Sequence, residues 1–185
     1  MTAKTLISKC LKGDRKAQQK LFDRYKGLVM GICLRYAGNS DLAQDMLQEA
    51  FLKVYTQLHQ LENEKALPGW IRSLTIRVAL NYYKQQMQKE HEPMEHVMVN
   101  AQNYEVDVTI LSELEHERLL TLIQELKDSH RMVFNLFCIE GYTHKEISQK
   151  LGITEASSRV YLTKAKKVLQ EKILFTGDQN RIAYG

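Results

Sequence analysis

The chain has 185 residues, 44% of them hydrophobic, which is enough apolar material for one ordinary domain or two small ones and excludes disorder throughout or a collagen-like fibre. Only 2 prolines and 9 glycines punctuate it, too few for the many turns of an all-β sandwich, so an all-α protein is expected. A net charge of +4, from 26 Lys and Arg against 22 Asp and Glu, is too small to indicate a nucleic-acid partner by itself. The segment MTAKTLISKCLKGDRK lacks the apolar run of a signal peptide, and no stretch approaches the roughly 18 apolar residues of a membrane span. A cytoplasmic protein with no direct membrane insertion is expected. Cys10, Cys33 and Cys138 are far apart among apolar neighbours and are expected to be buried, reduced thiols.

Residues 14–36 carry Leu21, Phe22, Tyr25, Leu28, Val29, Ile32, Cys33 and Tyr36 at helical spacing. After a break at Gly38-Asn39-Ser40, with Ser40 as the expected N-cap, Leu42, Met46, Leu47, Ala50, Phe51, Val54, Tyr55 and Leu58 lay out a second stripe. Pro68 sits at a plausible helix start, and a third helix is expected to run to about Gln88. It is apolar on two sides, Ile71, Leu74 and Val78 on one and Ile76, Leu80 and Tyr83 on the other, as in a helix sandwiched between others. From Lys89 to Asp107 the periodicity is lost and five acidic residues face only Lys89, which predicts a flexible acidic linker over 91–107. Helical patterns then recur over 108–127, 129–139, 143–151 and 154–173. The chain thus divides into a helical domain over 1–90, the linker, a second helical domain over 108–175 and a tail over 176–185.

In the second domain, Thr143-His144-Lys145-Glu146-Ile147-Ser148-Gln149-Lys150-Leu151-Gly152-Ile153-Thr154 places an N-cap with Glu three residues on, a short helix, a glycine turn and a second N-cap. That is helix-turn-helix spacing, winged-helix-like without a wing. Placed at 100° intervals, Ser158, Tyr161, Leu162, Ala165, Val168 and Leu169 form the core face of the following helix, and Arg159, Val160, Thr163, Lys164 and Lys167 fall opposite. Arg and Lys donors, a hydroxyl and a methyl suit the major groove, whereas Ser157 and Lys166 at the margins suit phosphates.

Two further faces leave alternatives open. On the second helix Asp45, Gln48, Glu49 and Leu52 share one side, which fits either a solvated face or a partner-binding patch with a small apolar centre. Between the two apolar sides of the third helix run Trp70, Arg77, Asn81 and Lys84, which fit either ordinary surface or a strip that stacks on unpaired bases and holds phosphates. His59, His91, His96, His116, His130 and His144 are scattered and read as surface or capping residues; no phosphate-cradling glycine loop, metal-spaced set or nucleophile–base pair occurs, so neither a cofactor nor a metal nor an enzymatic activity is expected.

From about Lys16 to Ile173 these residues resemble an extracytoplasmic-function (ECF) sigma factor of the sigma-70 family. Asp41-Leu42-Ala43-Gln44-Asp45-Met46-Leu47-Gln48-Glu49-Ala50-Phe51-Leu52 matches the family's polymerase-binding helix, Leu126-Lys127-Asp128-Ser129-His130-Arg131 the opening of its −35 reader, and Gly141-Tyr142-Thr143-His144-Lys145-Glu146-Ile147 its first reading helix. The resemblance implies a transcription initiation factor that docks on core RNA polymerase and directs it to promoters. Asp45, Gln48, Glu49 and Leu52 would then meet the coiled coil of the largest polymerase subunit. Trp70, Arg77, Asn81 and Lys84, with the loop 61–67, would meet single-stranded −10 bases, and Arg159, Val160, Thr163 and Lys164 would face −35 bases. Departures from the family pattern are Arg77 where Asn is frequent, Tyr161 where Arg is usual and Ser158 where Val is common, while Asn81 stands where Asp or Asn is usual. The resemblance also implies an anti-sigma factor as a partner, and a linker threaded near the RNA path of the polymerase. The rival reading is a stand-alone helix-turn-helix regulator whose N-terminal domain oligomerises or senses a signal.

Overall fold

The computed structural model describes residues 2–90 and 116–182, and side chains over 2–87 and 117–174. The expected acidic linker, 91–107, and residues 108–115 lie outside the described residues. Among the described residues there are helices and turns and no strand, and the chain separates into two compact units, Met1–Gln86 and Met87–Gly185. No helix among them is long and apolar enough to cross a membrane.

The first unit opens with a helix absent from the expectation, α1 (Ala3–Leu11), capped by the Thr2 hydroxyl accepting from the Thr5 amide. Its signal is short: Leu6 and Cys10, one turn apart, are its two buried residues, too few to register as a stripe. Gly13, at φ 76°, turns the chain into α2 (Arg15–Tyr36), whose N-cap Asp14 accepts from the amides of Lys16 and Ala17 at 2.9 and 3.1 Å. The cap of α3 (Ser40–Gln57) is Asn39, accepting from the Leu42 amide at 2.8 Å, so the expected cap Ser40 is the first helical residue instead. An amide oxygen one residue earlier reaches the same orphan donors.

Helices α1 and α3 both pack on α2. Phe22 and Phe51 meet across the α2–α3 seam with ring centroids 4.6 Å apart, and the Tyr55 hydroxyl donates to the Gln18 carbonyl at 3.1 Å. Two single 3-10 turns, Leu58–Gln60 and Glu64–Ala66, lead into α4 (Leu67–Glu90), with Pro68 in its first turn, where a missing N–H breaks no helical bond. Ile71, Leu74 and Val78 are buried on one side of α4 and Ile76, Leu80 and Tyr83 on the other, as the double apolar pattern predicts.

The second unit contains α5 (His116–Gln124), α6 (Asp128–Phe134), which continues as one π-helical turn (Asn135–Ile139), α7 (His144–Leu151) and α8 (Glu155–Ile182). Both α6 and α7 pack on α8. The last helix runs past the expected end near Ile173 and into the segment expected as a tail, as far as Ile182, since no proline interrupts the backbone there.

Arg131, 3% exposed, holds the turn between α5 and α6: its Nη1 donates to the carbonyls of Gln124 and Leu126 at 3.1 and 2.7 Å, and its Nη2 pairs with Asp128. Of the cysteines, Cys10 and Cys33 are buried, and burial pushes the Cys33 thiol up to about 12. Cys138, expected to be buried, is exposed, because the π-helical turn rotates successive side chains by less than an α-helix does and carries this position to the surface.

Replacing Arg131 with Met leaves buried carbonyls without their donor and is expected to lower the stability of the second unit by about 3 kcal/mol, read as a shift of its transition in urea unfolding of the full chain.

Candidate nucleic-acid and polymerase interfaces

The helix-turn-helix is closed by short-range bonds. The Thr143 hydroxyl accepts from the Glu146 amide while the Glu146 carboxylate accepts from the Thr143 amide at 2.8 Å, a reciprocal capping box. The Thr143 amide and hydroxyl, each donating to this carboxylate at 2.8 Å, hold the Glu146 carboxyl below its ordinary value. Ile147 and Leu151 are buried, and Gly152, at φ 73°, ends α7 in the left-handed conformation that lets the chain turn into α8. The Thr154 hydroxyl then accepts from the Ser157 amide at 3.0 Å and caps the new helix.

The buried side of α8 comprises Ser158, Tyr161, Leu162, Ala165 and Leu169, all on the face expected to be core. On the opposite side Arg159 and Lys167 are exposed, and Thr163 and Lys164 are half-buried; the marginal Ser157 and Lys166 are also half-buried. Val160 is a correction. It was expected to face outward, but it is only 6% exposed. The projection assumes water along the whole outer side of the helix, whereas this branched aliphatic chain is enclosed, which favours it by about 1.5–3 kcal/mol over exposure.

Three residues, two in this unit and one in the first, escaped the sequence reading. His144, taken as a surface or capping residue, places Nδ1 2.9 Å from the Ser158 hydroxyl and stacks on Phe137 with ring centroids 4.6 Å apart. Burial first, then the charges of Arg159 and Lys166, hold its pKa below the ordinary value, with Glu155 opposing. Glu155, in the first turn of α8, accepts from Arg159 Nη2 at 3.1 Å. A pairing at i, i+4 was visible in the spacing; the His144–Ser158 contact, fourteen residues apart, was not.

In the first unit, Asp45 and Gln48 are exposed on α3, Glu49 is half-buried, and Leu52 is 62% exposed beside them. Behind them Met46, Ala50, Phe51 and Val54 are buried. Glu49 pairs with Lys53 at 2.7 Å. Tyr82 of α4 is the third residue the sequence reading missed; burial, and then the negative charges of Glu49 and Asp45, push its phenol up. On α4, Arg77, Asn81 and Lys84 are exposed and Trp70 is half-buried, forming a narrow strip between the two buried sides.

The fold and these faces define a class: a two-unit helical protein with a helix-turn-helix whose second helix carries basic side chains outward, and a separate helical unit with an acidic patch centred on an exposed leucine. Residues 21–88 match the model of Sigma-70 region 2, and residues 116–169 match that of Sigma-70, region 4. The chain is 25% identical over 184 residues to the ECF RNA polymerase sigma-E factor of Haemophilus influenzae, covering 94% of this chain and 96% of the relative. It is 26% identical to the ECF RNA polymerase sigma-E factor of Escherichia coli, covering 94% and 95%. Its fold is similar to that of the sigma factor RpoE of Bartonella quintana, solved in complex with the anti-sigma factor NepR, at a TM-score of 0.50 and 16% identity over 84% of this chain and 95% of that one. The chain belongs to the sigma-70 family, as an ECF sigma factor, and is a transcription initiation factor that directs RNA polymerase to promoters.

A histidine whose pKa is lower folded than unfolded binds fewer protons in the native state, so stability falls as pH drops below the unfolded value near 6.5. Thermal midpoints of the second unit measured from about pH 7.5 to 5 are expected to decline on the acid side of that value, and the decline is expected to be shallower in His144→Phe.

Proposed function

We propose that the first unit docks on core RNA polymerase through Asp45, Gln48, Glu49 and Leu52, and that the coiled coil of the largest subunit is the partner surface. The observation that carries the reading is Leu52: a large aliphatic side chain left 62% exposed, flanked by Asp45 and Gln48, on a helix whose other side is fully packed. An exposed apolar centre with a charged rim is the anatomy of a protein interface. The acidic rim favours a partner with basic side chains and disfavours nucleic acid.

The strip Trp70, Arg77, Asn81 and Lys84, with the loop 61–67, captures unpaired −10 bases in this reading. One aromatic ring offers a stacking platform, and two exposed cations on the same strip attract the backbone. In the second unit α8 enters the −35 major groove, with Arg159, Thr163 and Lys164 toward base edges and Ser157, Lys166 and Lys167 toward phosphates. Val160, being enclosed, is left out of the base-facing set.

The layout that goes with this mechanism is a polymerase and −10 domain over 1–90, an acidic linker over 91–107, a −35 domain over 108–175 and a terminal segment over 176–185. The linker carboxylates Glu92, Glu95 and Glu105 suit a basic channel that otherwise holds nucleic acid. The chain supplies binding energy and no chemical step of its own; nucleotide addition belongs to the polymerase, and the work is done in the cytoplasm. An anti-sigma factor that covers the docking face is the regulatory partner in this reading, in keeping with the complex known for the Bartonella quintana relative.

Run-off transcription with purified core polymerase on genomic fragments of the host tests the whole reading: a promoter-dependent product is expected only when this chain is added. Asp45→Lys combined with Glu49→Lys reverses the charge of the docking rim and is expected to abolish core binding while the helical circular dichroism is kept. Lys164→Ala is expected to relax −35 discrimination by about five- to a hundredfold at one base pair, in keeping with roughly 1–3 kcal/mol per good contact, and to leave core binding unchanged.

A further inference from the structure

Glu155 stands where a DNA-binding helix has least use for an acid. It lies in the first turn of α8, exposed, on the helix proposed to enter a groove lined by phosphates. Its pairing with Arg159 is a surface contact at i, i+4, with the two side chains 46% and 56% exposed, and such pairs add little to stability. In the first turn its charge also meets the positive end of the helix dipole, a small exposed contribution, while it repels the phosphate backbone that the helix is proposed to approach.

The geometry of the pair suggests what the carboxylate does there. Glu155 Oε2 engages one N–H of Arg159 Nη2, at 3.1 Å. A guanidinium has five N–H donors, so a two-pronged fork remains for the O6 and N7 acceptors of a guanine, now held in a fixed direction. A carboxylate offers about four lone-pair positions, so Glu155 keeps acceptor capacity after binding Arg159. In the major groove the amino groups of cytosine N4 and adenine N6 can satisfy a lone acceptor, but the adenine donor sits beside the N7 acceptor, which repels a carboxylate, as do the acceptor edges of guanine and the O4 of thymine, so cytosine is favoured.

We infer that Glu155 is a specificity-determining residue for −35 readout, whose carboxylate aims the Arg159 fork at one guanine and accepts a hydrogen bond from the amino group of a neighbouring cytosine. This rests on the reading of α8 as the helix that enters the −35 groove. The residue acts by two routes: attraction toward one base pair, and rejection of the pairs that turn an acceptor atom toward the carboxylate. Removing the carboxylate therefore loosens selectivity without loosening binding, because the repulsion from phosphates disappears with it.

The test is a selection by holoenzyme, core polymerase plus the full chain, from a promoter pool in which only the −35 duplex is randomised. The wild-type chain is expected to recover a guanine with a preferred cytosine beside it. Glu155→Ala is expected to weaken the guanine preference, since the Arg159 fork is no longer aimed, to lose the cytosine preference by about five- to a hundredfold, and to bind the pool as tightly or more tightly. Glu155→Gln, whose amide can both donate and accept, is expected to move that position toward adenine. Arg159→Ala is expected to lose the guanine. If Glu155→Ala returns the wild-type profile at every position, the inference is overturned while the groove-entering reading stands. If the wild-type chain itself recovers no −35 preference, both fall.

Discussion

The burial of Met46, Ala50, Phe51 and Val54 along one side of α3 dictates what its other side can do. A helix clamped on its apolar face cannot rotate, so Asp45, Gln48 and Leu52 are held outward in a fixed array. The clamp is specific: Phe22 fills the seam against Phe51, and the Tyr55 hydroxyl reaches the Gln18 carbonyl on α2. The same constraint shapes α4, where burial on two sides narrows the surface available for other work to the strip of Trp70, Arg77, Asn81 and Lys84. The negative charges of Glu49 and Asp45 also reach Tyr82 on α4, so the acids of the proposed docking face shape the electrostatics inside the unit.

In the second unit the orientation of α8 is set from both ends of the turn that precedes it. The capping box at Thr143 and Glu146 starts α7, Gly152 ends it, and Thr154 starts α8, all through backbone groups within a few residues of one another. Local capping fixes where helices begin and leaves their rotation free. The rotation is set by packing of Ile147, Leu151 and the buried side of α8, and by the His144–Ser158 bond. Ser158 stands where valine is common in the family. A hydroxyl in a fully buried place requires a partner, and His144 provides it.

Charge is distributed in keeping with this division. A total of +4 conceals an acidic patch on α3 and a basic outer side of α8, so the near balance of the whole chain carries no information about either surface. Glu155 shows the same point on a smaller scale: next to Arg159 it cancels in any sum over the helix, and its presence matters only through where the carboxylate stands.

Much of this was legible in the amino-acid sequence. Strong, long periodicities placed α2, α3 and α4, the double apolar pattern of α4 predicted burial on both sides, and the spacing from Thr143 to Thr154 predicted the helix-turn-helix, because these features depend on contacts within one helix or across one turn. Helix α1 was missed because two buried residues make no stripe, and the start of α3 was displaced by one residue because Asn39 and Ser40 are both competent caps. The enclosure of Val160, the exposure of Cys138 on a π-helical turn, the meeting of His144 with Ser158 and the influence of Glu49 on the Tyr82 phenol depend on residues distant in sequence or on a departure from regular helix geometry. The sequence alone determined which helices form and which of their sides are apolar, since both follow from local spacing; the tertiary structure decided which polar and aliphatic groups on the remaining sides are enclosed, bonded or left for a partner, since that depends on what packing brings beside them.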